Sequence, residues 1–285
     1  MEGEEDTLFL RLRRDELALR SVPTFMEPHL ASAINAPMRA IVVDWLVQVH
    51  DEYKLAPETL FLAVAVLDRF LANAPSHVAR ARLQLVGVTA LLIASKMDGI
   101  EADDREFTPA DCAYITARAY RAREVVAMER VMLNALRFKL LLPTAYVFFT
   151  RLAFPDERVR ELALFLLELA LQDYGITLLL LDSTRAEGAL LAATCALATT
   201  ACLGAVVRCP RRDVRDAAAL LARLHAVALE RRKKDAVVEK YGELALVAPN
   251  ATLVEAGERL AASVAKIAAE GGHQSLRMVS QDCHE

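Results

Sequence analysis

Two stretches of this chain, Leu83 to Ser95 and Gly188 to Thr200, run without a charged residue and lie roughly one hundred residues apart. On a helix, an uncharged run of this length has no face to turn to water, so neighbouring helices must wrap it on every side. Two such runs call for two wrapped helices, and the interval is long for a solenoid repeat but suits a duplicated domain. The flanking segments echo one another. Pro57 to Leu62 finds a loose counterpart in Glu157 to Leu162, and Ala122 to Leu136 in Val214 to Leu229.

Composition agrees. The 285 residues are 55% apolar and 25% charged, with only ten Gly and ten Pro, which implies few turns, long elements and a packed core. Ala, Leu, Arg and Glu dominate, all good helix formers. The fold class expected is all-α. Gly188 to Val207 is uncharged and long enough to cross a bilayer, but its Ala, Thr and Gly content is weak for lipid insertion, so a helix buried in protein is expected and no membrane partner. A net charge of −4 argues against nucleic-acid binding, which calls for a basic excess or stripe.

The helix starts are legible. Asn35 reads as the cap of a first core helix with Pro37 in its first turn. Pro57 opens a second helix to about Ala72, which the Asn73-Ala74-Pro75-Ser76 stretch breaks. A third spans Arg80 to about Met97. Thr108-Pro109-Ala110-Asp111 reads as cap, first-turn proline and an acid that reaches back. A fifth runs from Ala122 to Leu136, and a Thr184/Glu187 capping box precedes the second uncharged run. The domain organisation expected is a lead-in with an amphipathic helix (1–34, Glu4 to Arg20), a first unit (35–141), a second unit (142–250), and a closing helix and tail (251–285, Ala251 to Ala269). Arg231-Arg232-Lys233-Lys234 reads as a solvated helix end or a nuclear-import signal.

Catalytic chemistry finds no foothold. The six histidines lack metal-ligand spacing, the glycines are too scattered for a phosphate-cradling loop, and no GxSxG elbow is present. The five cysteines form no CxxC pair; Cys195, Cys202 and Cys209 recur every seven residues and read as small thiols buried in a helical core, and free thiols point to a reducing compartment. Met1 to Asp6 is acidic, unlike a secretory signal. No catalytic residue, metal or cofactor is expected, and the chain reads as a non-enzyme.

The segment Pro37-Met38-Arg39-Ala40-Ile41-Val42-Val43-Asp44-Trp45-Leu46-Val47-Gln48-Val49 is apolar on several faces yet carries an Arg, an Asp and the chain's one Trp. Met38, Val42 and Trp45 form a stripe at i, i+4 and i+7. This segment resembles the opening helix of the cyclin box in mitotic A- and B-type cyclins. The resemblance extends from about Glu5 to Ala248. It includes Leu67-Asp68-Arg69-Phe70-Leu71, the run Leu83 to Ala90 with Ile93-Ala94-Ser95-Lys96, Met128-Glu129-Arg130 with Leu136 and Phe138, and Asp235 to Tyr241. Gln48 and Pro143-Thr144-Ala145-Tyr146-Val147-Phe148 lean towards B-type members.

The resemblance implies two tandem five-helix cyclin boxes after an N-terminal helix. It implies a regulatory subunit that binds and activates a cyclin-dependent protein kinase in the cell cycle, at the G2/M stage, in nucleus and cytoplasm. Carried over by position, Lys96 and Glu129 would hydrogen-bond the kinase, beside Met97, Leu133, Phe138 and Leu140. Met38, Ile41, Val42, Trp45, Arg80, Leu83 and Gln84 would line a shallow groove for Arg-x-Leu peptides of substrates or inhibitors. Arg39 and Asp68 would form a partly buried structural ion pair. Three departures stand out: Val42 where the family usually has Leu, Met97-Asp98-Gly99 where it has an aromatic and two acids, and no convincing destruction box. Arg14-Asp15-Glu16-Leu17 has the RxxL form of such a box but falls in the amphipathic helix, so either the chain is truncated or its turnover is controlled differently. The alternatives weighed are a cyclin-box protein acting in transcription initiation and a scaffold that activates no kinase.

Overall fold

The computed structural model describes residues 34–74, 78–98, 106–140, 144–152, 154, 156–174, 176, 194, 197, 212–231 and 235–247. The expected helices at Glu4–Arg20 and Ala251–Ala269, the Thr184/Glu187 box, the continuous run from Gly188 to Val207 and most of the basic run at Arg231–Lys234 lie outside these residues. Among the described residues every regular element is helical. By packing, the chain divides into Met1–Leu152 and Ala153–Glu285.

In the first unit α1 spans Ala36–Glu52, α2 Pro57–Asn73, α3 Leu83–Asp98, α4 Pro109–Ile115, α5 Ala122–Ala135 and α6 Ala145–Phe149. The Asn35 side chain accepts the Met38 N–H at 3.1 Å and so starts α1, with proline in the first turn where a missing N–H costs nothing. At the start of α4, Thr108 and Asp111 satisfy each other's backbone N–H groups reciprocally. The third helix differs from expectation. Arg80–Arg82 forms a tight 3-10 turn and α3 begins only at Leu83. Ala79 has no side chain to cap the orphan N–H groups, so a short-range bond from Arg82 N–H to Ala79 carbonyl takes that place. The Tyr120 hydroxyl donates to the Ala81 carbonyl and fastens the turn to the loop before α5.

Helix α3 is the axis of the unit, and α1, α2, α4 and α5 all pack on it. Leu85, Val86, Val88, Thr89, Ala90, Leu91 and Leu92 are wholly buried. Each large aliphatic among them contributes about 1.5–3 kcal/mol relative to exposure. Thr89 escapes the cost of burying a hydroxyl by donating to the Leu85 carbonyl at 2.7 Å. Gly87 brings α1 close: a Cβ built there would stand 2.7 Å from Val42 Cγ1.

Three helices of this unit stop in the same way, without glycine. Past α1, Lys54 N–H bonds the Asp51 carbonyl and Leu55 N–H the His50 carbonyl; α4 and α5 repeat the pattern at Ala117/Arg118 and Arg137/Phe138. These paired bonds satisfy the last carbonyls but need a left-handed residue, a place usually taken by Gly. Here Lys54, Ala117 and Arg137 stand at φ 48, 51 and 52°, and Arg118 and Phe138 follow at 60 and 56°. A left-handed non-glycine residue costs about 1–2 kcal/mol. Arg137→Gly is therefore expected to raise stability by about 0.5–1 kcal/mol in urea unfolding, the gain reduced by the freer unfolded chain. A fall in stability would show that the Arg137 side chain compensates for the strain.

In the second unit α7 spans Glu157–Gln172, α8 Arg212–Arg231 and α9 Ala236–Tyr241, followed by a 3-10 turn at Gly242–Leu246. Helix α7 packs against α8, α9 and that turn. Asp156 starts α7 and Asp235 starts α9, each by accepting backbone N–H bonds. Glu168 is fully buried and accepts from Lys240 Nζ at 2.7 and 2.9 Å and from the Tyr241 hydroxyl at 2.9 Å. Phe165 lies edge-on to both His225 and Tyr241. His225 Nε2 donates to the Ala245 carbonyl at 2.7 Å, and burial lowers the imidazole pKa, which keeps the ring neutral. None of this network was legible in the sequence, because its members come from separate helices.

Candidate functional site

All of the residues assigned to a site by the resemblance lie in the first unit. The ionic part is simplest. Arg39 is 1% exposed, and its Nε and Nη2 atoms donate to the two Asp68 oxygens at 2.8 and 2.7 Å, so the fork meets the carboxylate in bidentate fashion. This pair joins α1 to α2 inside the protein and is out of reach of a partner. Its neighbour Arg69 is also buried and donates from Nη1 to the Lys139 carbonyl at 2.6 Å. Sequence reasoning assigned Arg69 no role; nothing in the local pattern tells a buried arginine from a solvated one.

Lys96 and Glu129 meet at the surface. Lys96 ends α3, where its charge complements the helix C-terminus. Its Nζ lies 2.6 Å from Glu129 Oε1 on α5, with the lysine half-exposed and the glutamate mostly covered. An ammonium has three donors and a carboxylate about four lone-pair sites, so the pair keeps capacity for a partner's backbone groups. Leu133 stands one turn beyond Glu129 on the same face of α5 and is half-buried. The Phe138 N–H bonds the Leu133 carbonyl, and the residue is 66% exposed with its backbone in a left-handed conformation. The residue at this position of a helix stop commonly folds back onto the helix; here Phe138 stays exposed. Met97 is exposed beside Lys96, whereas Leu140 is buried and serves the packing beneath. The side chain of Asp98, and all of Gly99, lie outside the described residues.

The second set is divided between α1, the 3-10 turn and the start of α3. Ile41 is 62% exposed, and Met38, Trp45 and Gln84 are half-buried. Arg80 is exposed on the 3-10 turn. Val42 and Leu83 are buried, Leu83 almost completely, so they form a floor and not a rim. Gly87, which sequence reasoning passed over, backs that floor at Val42. Met38, Ile41 and Trp45 thus form a partly exposed apolar stripe on α1, while Arg80 and Gln84 lie at the entry to α3.

Among the described residues, other reactive groups include two that are enclosed. Cys112 is buried, and desolvation is the largest of the effects that push its thiol up to about 12. His50 Nε2 bonds the Ala56 carbonyl. Among the described residues no cluster of metal-ligating side chains occurs and no helix is long and apolar enough to cross a membrane.

Comparison with known proteins bears on the family of the chain. Residues 8–141 match the family description "Cyclin, N-terminal domain", and residues 143–248 match "Cyclin, C-terminal domain". The chain is 43% identical over 155 residues to G2/mitotic-specific cyclin-2 of Medicago sativa, covering 53% of this chain and 45% of that protein. It is 36% identical over 243 residues to Cyclin-B1-2 of Arabidopsis thaliana, covering 81% of this chain and 53% of that one. The chain thus spans about half the length of these curated relatives. The crystal structure of a viral cyclin from Herpesvirus saimiri superposes with a TM-score of 0.51 at 20% identity, over 75% of this chain and 88% of that one, which supports the fold. With both domain types matched in order along one helical chain, this protein belongs to the cyclin family, with G2/mitotic and B-type cyclins among its relatives.

Proposed function

We propose that this chain is a regulatory subunit that binds and activates a cyclin-dependent protein kinase in cell-cycle control, at the G2/M stage, and that it acts in nucleus and cytoplasm. The observation that carries the reading is the Lys96–Glu129 pair on one surface of the first unit, together with Phe138, an aromatic held out into water. A rigid face of this kind activates by population shift: it binds the active arrangement of the kinase better than the inactive one, and the difference in affinity sets the shift. In the active arrangement a kinase glutamate turns inward to pair with the ATP-binding lysine, and the activation segment leaves the substrate cleft. The chain supplies no catalytic group of its own in this reading. Reconstitution tests it: the purified chain with ATP and histone stays silent, and a purified cyclin-dependent kinase added to it phosphorylates the histone. A kinase whose activity is the same with and without the chain would remove the proposal.

The α1 stripe recruits substrate in the same reading. Trp45 and Met38 offer apolar area, and Gln84 a hydrogen-bonding amide for the backbone of an extended Arg-x-Leu peptide. Trp45→Ala is expected to weaken binding of such a peptide by about 2 kcal/mol. Activation measured on a short substrate without the motif should stay nearly unchanged. Because Trp45 is half-buried, a thermal melt accompanies the titration. Equal peptide affinity in folded wild type and variant would refute the groove, and Gln84→Ala is the second probe.

A further inference from the structure

Asp68 and Arg69 are neighbours near the end of α2, and both are buried, but they hold different parts of the chain. Asp68 ties α2 to α1 through Arg39. Arg69 reaches across 70 positions of sequence to the Lys139 carbonyl. Lys139 directly follows Phe138 and precedes Leu140, whose side chain is buried. The segment leaving α5 is therefore held on both sides of Phe138. Before it, Arg137 N–H bonds the Asn134 carbonyl, and Phe138 N–H the Leu133 carbonyl; after it come the Arg69 bond and the Leu140 plug.

This arrangement is costly to build. Two successive left-handed residues without glycine are strained, and such conformations persist only where the surroundings over-determine them. Burying a guanidinium is also unfavourable, and here the group it meets is a neutral carbonyl with no charge to repay the desolvation. The left-handed pair belongs to the cap, as at the end of α4, but the cap does not need the buried guanidinium, because the two bonds from Arg137 and Phe138 N–H already satisfy the helix end. What the Arg69 bond adds is a fixed direction for the chain that leaves Phe138.

We propose that Arg69 is a positioning residue for the partner-facing surface: by holding the Lys139 carbonyl it keeps the Phe138 ring presented outward in its left-handed conformation, ready for the kinase. The inference rests on the kinase-binding reading above and adds to it a residue that touches no partner. A free chain whose Phe138 is already placed loses less freedom on association, so the gain appears in affinity.

A double-mutant cycle tests this on the full chain with a purified cyclin-dependent kinase, measuring dissociation constants for wild type, Arg69→Gln, Phe138→Ala and the double variant, each with a thermal melt. Phe138→Ala is expected to weaken binding about 30-fold. Arg69→Gln is expected to weaken it about tenfold in wild type and less than about twofold when Phe138 is already Ala, because its effect passes through that ring. A merely structural arginine would lower the melting temperature and cost the same affinity in both backgrounds, and that additivity overturns the proposal. If Phe138→Ala binds as wild type does, the kinase-contact reading of Phe138 has failed and the role of Arg69 falls with it. Should Arg69→Gln not fold, Arg69→Lys, which keeps the buried charge but loses the planar fork that reaches the carbonyl, runs the same cycle and is judged by the same two outcomes.

Discussion

Asp68→Ala is expected to cost the first unit about 3–5 kcal/mol, a large share of the 5–15 kcal/mol typical of a domain. The reason is the group left behind. Arg39 is almost fully enclosed, and without Asp68 its guanidinium loses a carboxylate that meets both Nε and Nη2. The pair itself is worth far less than this figure, because burying both charges had its own desolvation cost. Replacing both residues together, Arg39→Met with Asp68→Leu, should accordingly lose much less than either single change. Urea unfolding followed by circular dichroism measures all three. A single variant that loses under about 1 kcal/mol would mean that Arg39 finds water or a new acceptor on removal of Asp68.

Glu129→Lys is expected to weaken association as strongly as loss of the Phe138 ring. The substitution removes the acceptor 2.6 Å from Lys96 and sets two ammonium groups against each other at the centre of the proposed kinase surface. The loss expected is about 2 kcal/mol or more, roughly 30-fold in the dissociation constant. Stability should change by less, about 1 kcal/mol, because Lys96 is half-exposed and an exposed pair contributes little to folding. Pull-down and calorimetric titration with a cyclin-dependent kinase, beside a thermal melt, separate the two quantities. Wild-type affinity in a folded Glu129→Lys variant would place the contact elsewhere.

The helix starts were readable because their signals are local. Asn35, Pro57 and the Thr108/Asp111 box each act within one turn of the residue that carries them. The ends of α1, α4 and α5 carry no such signal. Their left-handed stops use Lys54, Ala117 and Arg137 in place of glycine, so the α5 boundary could be drawn at Leu136 but the conformation beyond it could not. The short helix α6 also escaped notice; by packing it sits with the first unit, against α2, and Tyr146 stacks on Phe61. Five residues are too few for a periodic pattern, and their helical state comes from that packing.

For the candidate site the division is similar. An uncharged run is enough to make α3 a central helix, since nothing else can shelter it, and the stripe of Met38, Val42 and Trp45 follows from helical spacing alone. Which of those residues reach the surface was decided by neighbours: Gly87 admits Val42 to the floor while Ile41 stays outside. Lys96 and Glu129 could be named one by one from the resemblance, but their 2.6 Å meeting depends on how α5 lies across the end of α3. The helical class, the two-unit organisation and the central helix follow from local pattern, because hydrophobic burial and capping act over one or a few turns. The Arg69 bond to Lys139 and the enclosed Glu168 were set by packing between helices. Each depends on chain segments far apart in sequence, and no local signal says whether a charged side chain will find its partner in water or across the core.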